Sequence, residues 1–152
     1  MRGRLMTRAT LPGTLEIDGP TWRTPLTGLS AQEYGNARLQ PTVYRGGYWH
    51  MEGTGGYELY RVHGHLRVMC LQRREAPRRR WKTWMVDDPL HWNAMRELVL
   101  DLPPGRLLVA GLGLGLFAHH LLERPDITDI EVVEIDPDVI ALIAPTLPPD
   151  PR

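Results

Sequence analysis

The apolar positions of this chain change period along its length, and the changes predict its elements. No period holds from residue 1 to about 55, where Pro12-Gly13, Asp18-Gly19-Pro20, Gly46-Gly47 and Gly55-Gly56 punctuate a stretch rich in Gly, Pro and Thr; short strands and loops are expected there. From Tyr57 to Val86 the residues are largely β-branched, aromatic and alternating. Three strands are expected: Tyr57 to Val62, Leu66 to Arg73 and Arg80 to Val86, with a glycine hairpin at His63-Gly64-His65 and a turn at Glu75-Ala76-Pro77. The period then becomes helical. Leu90, Ala94, Met95, Leu98 and Val99 share one face of a helix that starts on Asp88 as N-cap and Pro89 as first residue and runs to Leu100.

Pro103-Pro104-Gly105 ends that helix. Leu107 to Ala110 reads as a fully buried parallel strand, Leu116 to Glu123 as a helix closed by Arg124-Pro125, and Ile130 to Ile135 as a second buried strand. Asp136-Pro137 opens a last helix to about Ala144, and the four prolines from Pro145 onward predict an extended or disordered ending. The expected fold class is α/β: an antiparallel β-meander in residues 1–86, a β-loop-α-β unit in residues 87–147 and a disordered tail at 148–152.

The candidate chemistry lies in the βαβ unit. Gly111, Gly113 and Gly115 form the turn between its first strand and helix, and Glu134 ends its second strand about 20 residues further on. Glycines let the backbone pass close to a ligand, a helix N-terminus offers free N–H groups, and a carboxylate at that strand end can accept ribose hydroxyls. Two cofactors suit the turn. Gly113-x-Gly115-x-x-Ala118 fits the dinucleotide fingerprint of NAD or FAD, and Gly111-x-Gly113-x-Gly115 fits the S-adenosylmethionine turn of class I methyltransferases. Asp136 is accounted for as an N-cap, whereas Glu134 has no such structural duty in the sequence pattern.

Composition bounds the rest. A chain of 152 residues, 42% hydrophobic and 24% charged, is a globular domain long enough for a real core. It has no apolar run of membrane-spanning length and no signal-like N-terminus, so the expectation is a cytoplasmic protein without membrane contact. Cys70 is expected to be a small apolar strand residue. His63 and His65 flank a turn glycine and fall short of a metal ligand set, so no metal is expected. Tyr44, Tyr48, Trp49 and Tyr57 read as packing of a small β-region.

Net charge is zero but divided: residues 1–82 carry 14 Lys+Arg against 6 Asp+Glu, and residues 83–152 carry 4 against 12. That split suggests two unlike surfaces, or halves that face one another. Arg73, Arg74, Arg78, Arg79, Arg80 and Lys82, interleaved with Trp81 and Trp84, form one basic patch. It suits either phosphate contact with base stacking on a nucleic acid or a solvated hairpin tip.

The strings LPPGRLLVAGLGLGL at 102–116 and VVEIDPDVIAL at 132–142, preceded by a β-meander and Val86-Asp87-Asp88, resemble the spermidine synthase-like branch of the S-adenosylmethionine-dependent methyltransferase superfamily. The resemblance is firm over about residues 85–147 and one of layout before that. It implies a Rossmann-like methyltransferase sheet, with Gly111, Gly113 and Gly115 as the cofactor loop and Glu134 as the ribose ligand. It also implies an aspartate where this chain has Leu114; a leucine cannot bind an ammonium, which turns the expectation from aminopropyl transfer toward methyl or other transfer to a small acceptor. Only the first two strands of the family's sheet are present, so the chain is expected to be a fragment or to be completed by self-association or a complementing chain. Asp87, Asp88 and His91 are acids and bases near the expected cleft, with nothing in their spacing to select one. The competing expectation is a non-catalytic binding or assembly module, contacting nucleic acid through the Arg73–Lys82 patch.

Overall fold

The computed structural model describes residues 14–53, 56–75 and 80–149. The chain is mixed α/β. Among the described residues seven strands come first: β1 (Leu15–Asp18), β2 (Gln32–Tyr34), β3 (Ala37–Tyr44), β4 (Gly47–Gly53), β5 (Gly56–His63), β6 (Leu66–Glu75) and β7 (Arg80–Val86). Helix α1 (Pro89–Leu100), strand β8 (Gly105–Ala110), helix α2 (Leu116–Leu122), strand β9 (Ile127–Val133) and helix α3 (Pro137–Ile143) follow. The N-terminal stretch expected to hold short strands and loops contains the eight-residue β3 and the seven-residue β4.

The expected meander is corrected in one joint. β5 and β6 do not pair as a hairpin; they belong to different sheets, ordered β1-β5-β4 and β2-β3-β6-β7, and β1 runs parallel to β5. The reason lies in β6. Val68, Met69, Cys70 and Leu71 are all buried, so both of its faces need cover. Leu66, Val68 and Cys70 pack with Val62 of β5, while Met69 and Leu71 pack on the other side with Leu39. β5 therefore lies over β6 rather than beside it, and the chain turns a corner at Gly64. The glycine is required: its φ is +68°, and a Cβ there would stand 2.9 Å from the Pro20 ring. The turn expected at Glu75-Ala76-Pro77 joins β6 to an antiparallel β7; its central residues lie outside the described ones.

The helices start where expected. Asp88 caps α1 by accepting from the His91 N–H at 3.0 Å, and Asp136 caps α3 by accepting from the Asp138 N–H at 3.1 Å. β8 and β9 pair in parallel, Arg106 opposite Asp129 through Ala110 opposite Val133. Leu107, Val109, Ile130 and Val132 face Val99 of α1 and Leu121 of α2. The opposite face is bare among the described residues, a departure from the expected fully buried strands: Leu108 is 68% exposed, Val133 55% and Ile135 96%. β9 ends before Glu134, and Pro145 belongs to a 3-10 turn, Ala144–Thr146, rather than to an extended tail.

The β-rich part and the βαβ part share one core. Leu26, Ala37, Leu39, Met69 and Leu71 pack against Leu114, Leu116, Val139, Leu142 and Ile143. Polar contacts fasten the same joint. The Asn36 N–H donates to Asp138 at 2.8 Å, Arg73 Nε lies 2.8 Å from buried Asp136, and buried Asp87 accepts from the Met69 N–H and the Thr24 hydroxyl. Arg73–Asp136 joins the basic and acidic halves, whereas Arg61–Glu16, Arg74–Glu33, Arg106–Asp129 and Arg124–Asp126 stay within one half.

Helix α2 buries His119 and His120 side by side. Burial pushes the His119 imidazole below its ordinary pKa, neighbouring His120 adds to this, and Glu123 opposes it. The unfolded chain therefore binds a proton that the folded chain resists. Stability from this group is complete above the unfolded value of about 6.5 and is lost as the pH falls from there toward the lowered folded value. Denaturant unfolding from pH 8 to pH 5 is expected to show a stability loss on acidification that is smaller in His119→Phe. Parallel profiles in the two proteins would remove His119 as the source.

Candidate functional site

The turn between β8 and α2 adopts the backbone that its glycines permit: φ is +93° at Gly111, +52° at Gly113 and +71° at Gly115. Such angles strain any residue with a Cβ. The three glycines do different work. Gly111 faces open space, a Cβ at Gly113 would meet Met85 Sδ at 2.4 Å, and a Cβ at Gly115 would come within 3.1 Å of Ile143. Gly111 and Gly113 line a cleft of about 560 Å³, whereas Gly115 is buried against α3 and does not.

Glu134 also lines the cleft, and the structure gives it the structural duty that the sequence pattern hides. Its Oε2 accepts from the Leu112 N–H at 2.8 Å and the Gly113 N–H at 3.5 Å, and its Oε1 accepts from the Asp136 N–H at 2.9 Å. The carboxylate holds the glycine turn in shape. Burial raises its pKa, but the N–H groups of Asp136, Leu112, Gly113 and Ile135 together outweigh burial and leave it below the ordinary carboxylate value. To receive a ribose it would exchange the long Gly113 contact for a sugar hydroxyl. Helix α2 has seven residues, so its N-terminus contributes only a short dipole.

The rest of the cleft is apolar: Trp84 and Met85 from β7, Met95 and Leu98 from α1, Leu116 and Phe117 from α2, and Leu108 to Ala110 of β8. Glycine patterns do not reveal this wall, although the i, i+3 spacing of Met95 and Leu98 marks one face of α1. Leu114 lies elsewhere. Its side chain is fully buried in the core shared by the two parts, with no exposure to the cleft. No carboxylate other than Glu134 lines the cleft among the described residues.

Asp87, Asp88 and His91 are not among the lining residues. Asp87 is buried; burial raises its pKa, against the Thr24 and Met69 hydrogen bonds that lower it. Asp88 binds the His91 ring, Nδ1 to Oδ1 at 2.9 Å, and this bond raises the His91 pKa despite partial burial. Both carboxylates also raise Tyr44, after burial itself, to about 12. Tyr44 stacks on Trp49 at 4.8 Å, the packing role expected for this pair; Tyr48 is exposed beneath the Arg61 guanidinium, and the Tyr57 side chain lies outside the described residues. Cys70 is buried, its thiol pKa raised chiefly by burial, as expected of an apolar strand residue.

In the basic patch, the guanidiniums of Arg38 and Arg74 lie over the Trp81 ring at 4.4 and 4.5 Å, and Arg73 lies over Trp84 at 4.8 Å. Arg74 pairs with Glu33 and Arg73 with Asp136. These arginines and indoles therefore have partners within the fold, and residues 76–79 lie outside the described ones. His63 pairs with Glu16, and no group of three or more metal-ligating side chains occurs among the described residues. No helix of the described residues is long and apolar enough to cross a membrane.

In comparisons with protein-family models, curated proteins and solved structures, nothing matches this chain.

Two outcomes follow from the geometry. Leu114→Asp would bury an unpaired charge, and urea denaturation should show a loss of about 3 kcal/mol or more, or no folded protein. A soluble, native-like Leu114→Asp would mean that this side chain reaches solvent. Glu134→Gln would set an amide N–H against a backbone N–H of the turn, and the half-exposed site should cost about 1 kcal/mol. Because the folded carboxyl titrates low, that difference is full at neutral pH and fades as the pH falls through the lowered value.

Proposed function

We propose that the cleft beside the glycine turn binds the adenosine part of S-adenosylmethionine, and that the chain is an S-adenosylmethionine-dependent transferase, or part of one, with a Rossmann-like sheet begun by β8 and β9. The observation that carries the reading is the pairing of an all-positive-φ glycine turn with an ionised carboxylate at the end of the neighbouring parallel strand, both opening on one apolar cleft. Gly111 and Gly113 would let the nucleoside approach the backbone. Glu134 would accept a ribose hydroxyl, and the side chains of Met85, Met95, Leu98 and Phe117 would exclude water from the base or sulfonium substituents. The cofactor, when bound, supplies an electrophilic carbon on sulfur; the chain's part is to position it.

The fit is to the nucleoside rather than to the amino-acid tail. With Leu114 in the core and no second carboxylate in the lining, nothing described engages an ammonium. An ammonium is borne by methyl and aminopropyl donors alike, so the reading rests on the nucleoside and leaves the transferred group open. The bare face of Leu108, Val133 and Ile135 supports the sheet reading as well, because parallel strands are normally covered on both faces.

Titration calorimetry tests this. S-Adenosylmethionine and 5′-methylthioadenosine, which lacks the amino-acid tail, are expected to bind within about tenfold of one another, a gap of about 1.4 kcal/mol, and both more weakly to Glu134→Gln. Binding of NAD alone would replace the reading with the dinucleotide one. Binding of none of the three would leave the glycine turn with a purely structural role.

A further inference from the structure

The β-rich part carries a second cleft, of about 350 Å³, that shares no lining residue with the first. Three turns build it: Gly19-Pro20 after β1, the turn containing Thr27 and Gly28, and the corner where His65 leads into Arg67 of β6. The walls are held together. The Gly19 N–H donates to His63 O at 2.9 Å, and a Cβ on Gly19 would stand 2.7 Å from the His65 backbone. Arg67 Nη2 donates to Leu29 O at 3.1 Å, which ties the second turn to β6.

The lining is one-sided in charge. Arg23, His65 and Arg67 contribute to it, and no Asp or Glu does. Of the nearest acids in sequence, Glu16 pairs with Arg61 and His63, and Asp18, outside the lining, accepts from the Thr21 hydroxyl at 2.7 Å. Arg23 and Arg67 each spend one recorded guanidinium bond on a backbone carbonyl, of Trp22 and Leu29, which neutralises no charge. Arg61, Arg73, Arg74, Arg106 and Arg124 each face a carboxylate instead. Two guanidiniums that line one cleft with no carboxylate in its lining attract an oxyanion placed between them, and the imidazole adds a ring N–H as a donor. Gly28 has only open space where a Cβ would be, so its backbone is accessible from the cleft.

We propose that this cleft binds a phosphoryl group, either free phosphate or a phosphomonoester of a small molecule. Donors that come from three separate turns suit a tetrahedral oxyanion better than a planar carboxylate, and an arginine fork can take two of its oxygens. The site is independent of the nucleoside reading.

The test is a two-dimensional amide NMR titration of the full chain at constant ionic strength, with sodium phosphate and with phenyl phosphate, and with sodium chloride as control. The expected result is saturable shifts at Gly19, Gly28 and His65 with either phosphate, weakened at least tenfold in Arg23→Ala/Arg67→Ala and unchanged in Arg106→Ala. Stronger binding of phenyl phosphate would assign the cleft to a phosphomonoester, and equal binding to free phosphate. If the double variant does not fold, Arg23→Gln alone, at an exposed position, should still weaken binding. Shifts matched by chloride, shifts that persist in the variants, or no saturation would overturn the proposal. So would steeply salt-dependent binding of a single-stranded oligonucleotide in the absence of any response to phosphate or phenyl phosphate.

Discussion

Two parallel strands cannot hold themselves together. Parallel sheets depend on cover from both faces, and β8 with β9 offers one ladder and two open edges. What covers the pair on one face is Val99 of α1 and Leu121 of α2, and what fastens this unit to the β-rich part is the hydrophobic contact between α3 and the β2-β3-β6-β7 sheet. Leu39, Met69 and Leu71 from the sheet meet Val139, Leu142 and Ile143 from the helix, with Leu114 and Leu116 of the glycine turn between them. The turn is thus anchored from below by burial of its leucines and from the side by the Glu134 carboxylate. Its shape does not wait for a ligand.

That anchoring separates core positions from cleft positions within the turn. Leu114 and Gly115 belong to the core, while Gly111, Gly113 and Glu134 belong to the cleft. The Leu114 side chain lies in packed hydrocarbon, so an aspartate there would be buried without a partner. On the proposed reading, a cofactor's ammonium would have to be met from elsewhere. Glu134 works in both settings, and its lowered pKa follows from the backbone N–H groups gathered around it. A carboxylate that already organises a turn is pre-oriented toward whatever the turn admits.

The uneven charge of the chain is used locally. Arg73 reaches Asp136 across the joint, but most recorded ion pairs join neighbours within one half. Where arginines meet tryptophans on β6 and β7 they stack on them, which lessens the case for base stacking by Trp81. Arg23 and Arg67, which have no carboxylate in the cleft they line, meet where three turns converge, a place no run of sequence marks.

Local patterns carried much of the architecture. Asp-Pro at 88–89 and 136–137 started both helices because a cap and a preset φ act over four residues. The Gly-x-Gly-x-Gly turn lay where a buried run stopped and a helical period began. Two expectations depended on distant partners and failed for that reason. β5 and β6 read as a hairpin because alternation does not say which sheet a strand joins; the buried run Val68–Leu71 needed a layer on each face. Glu134 read as free because two of its partners, the N–H groups of Leu112 and Gly113, are some twenty residues away in sequence and adjacent only across the parallel ladder, the third being the nearby Asp136 N–H. The sequence by itself determined the elements from β5 onward, the Asp caps of α1 and α3 and the glycine turn, all products of contacts within a few residues. Only the tertiary structure decided which face of each element is buried, what Glu134 holds and where Arg23, His65 and Arg67 converge, because each depends on segments brought together by the shared core.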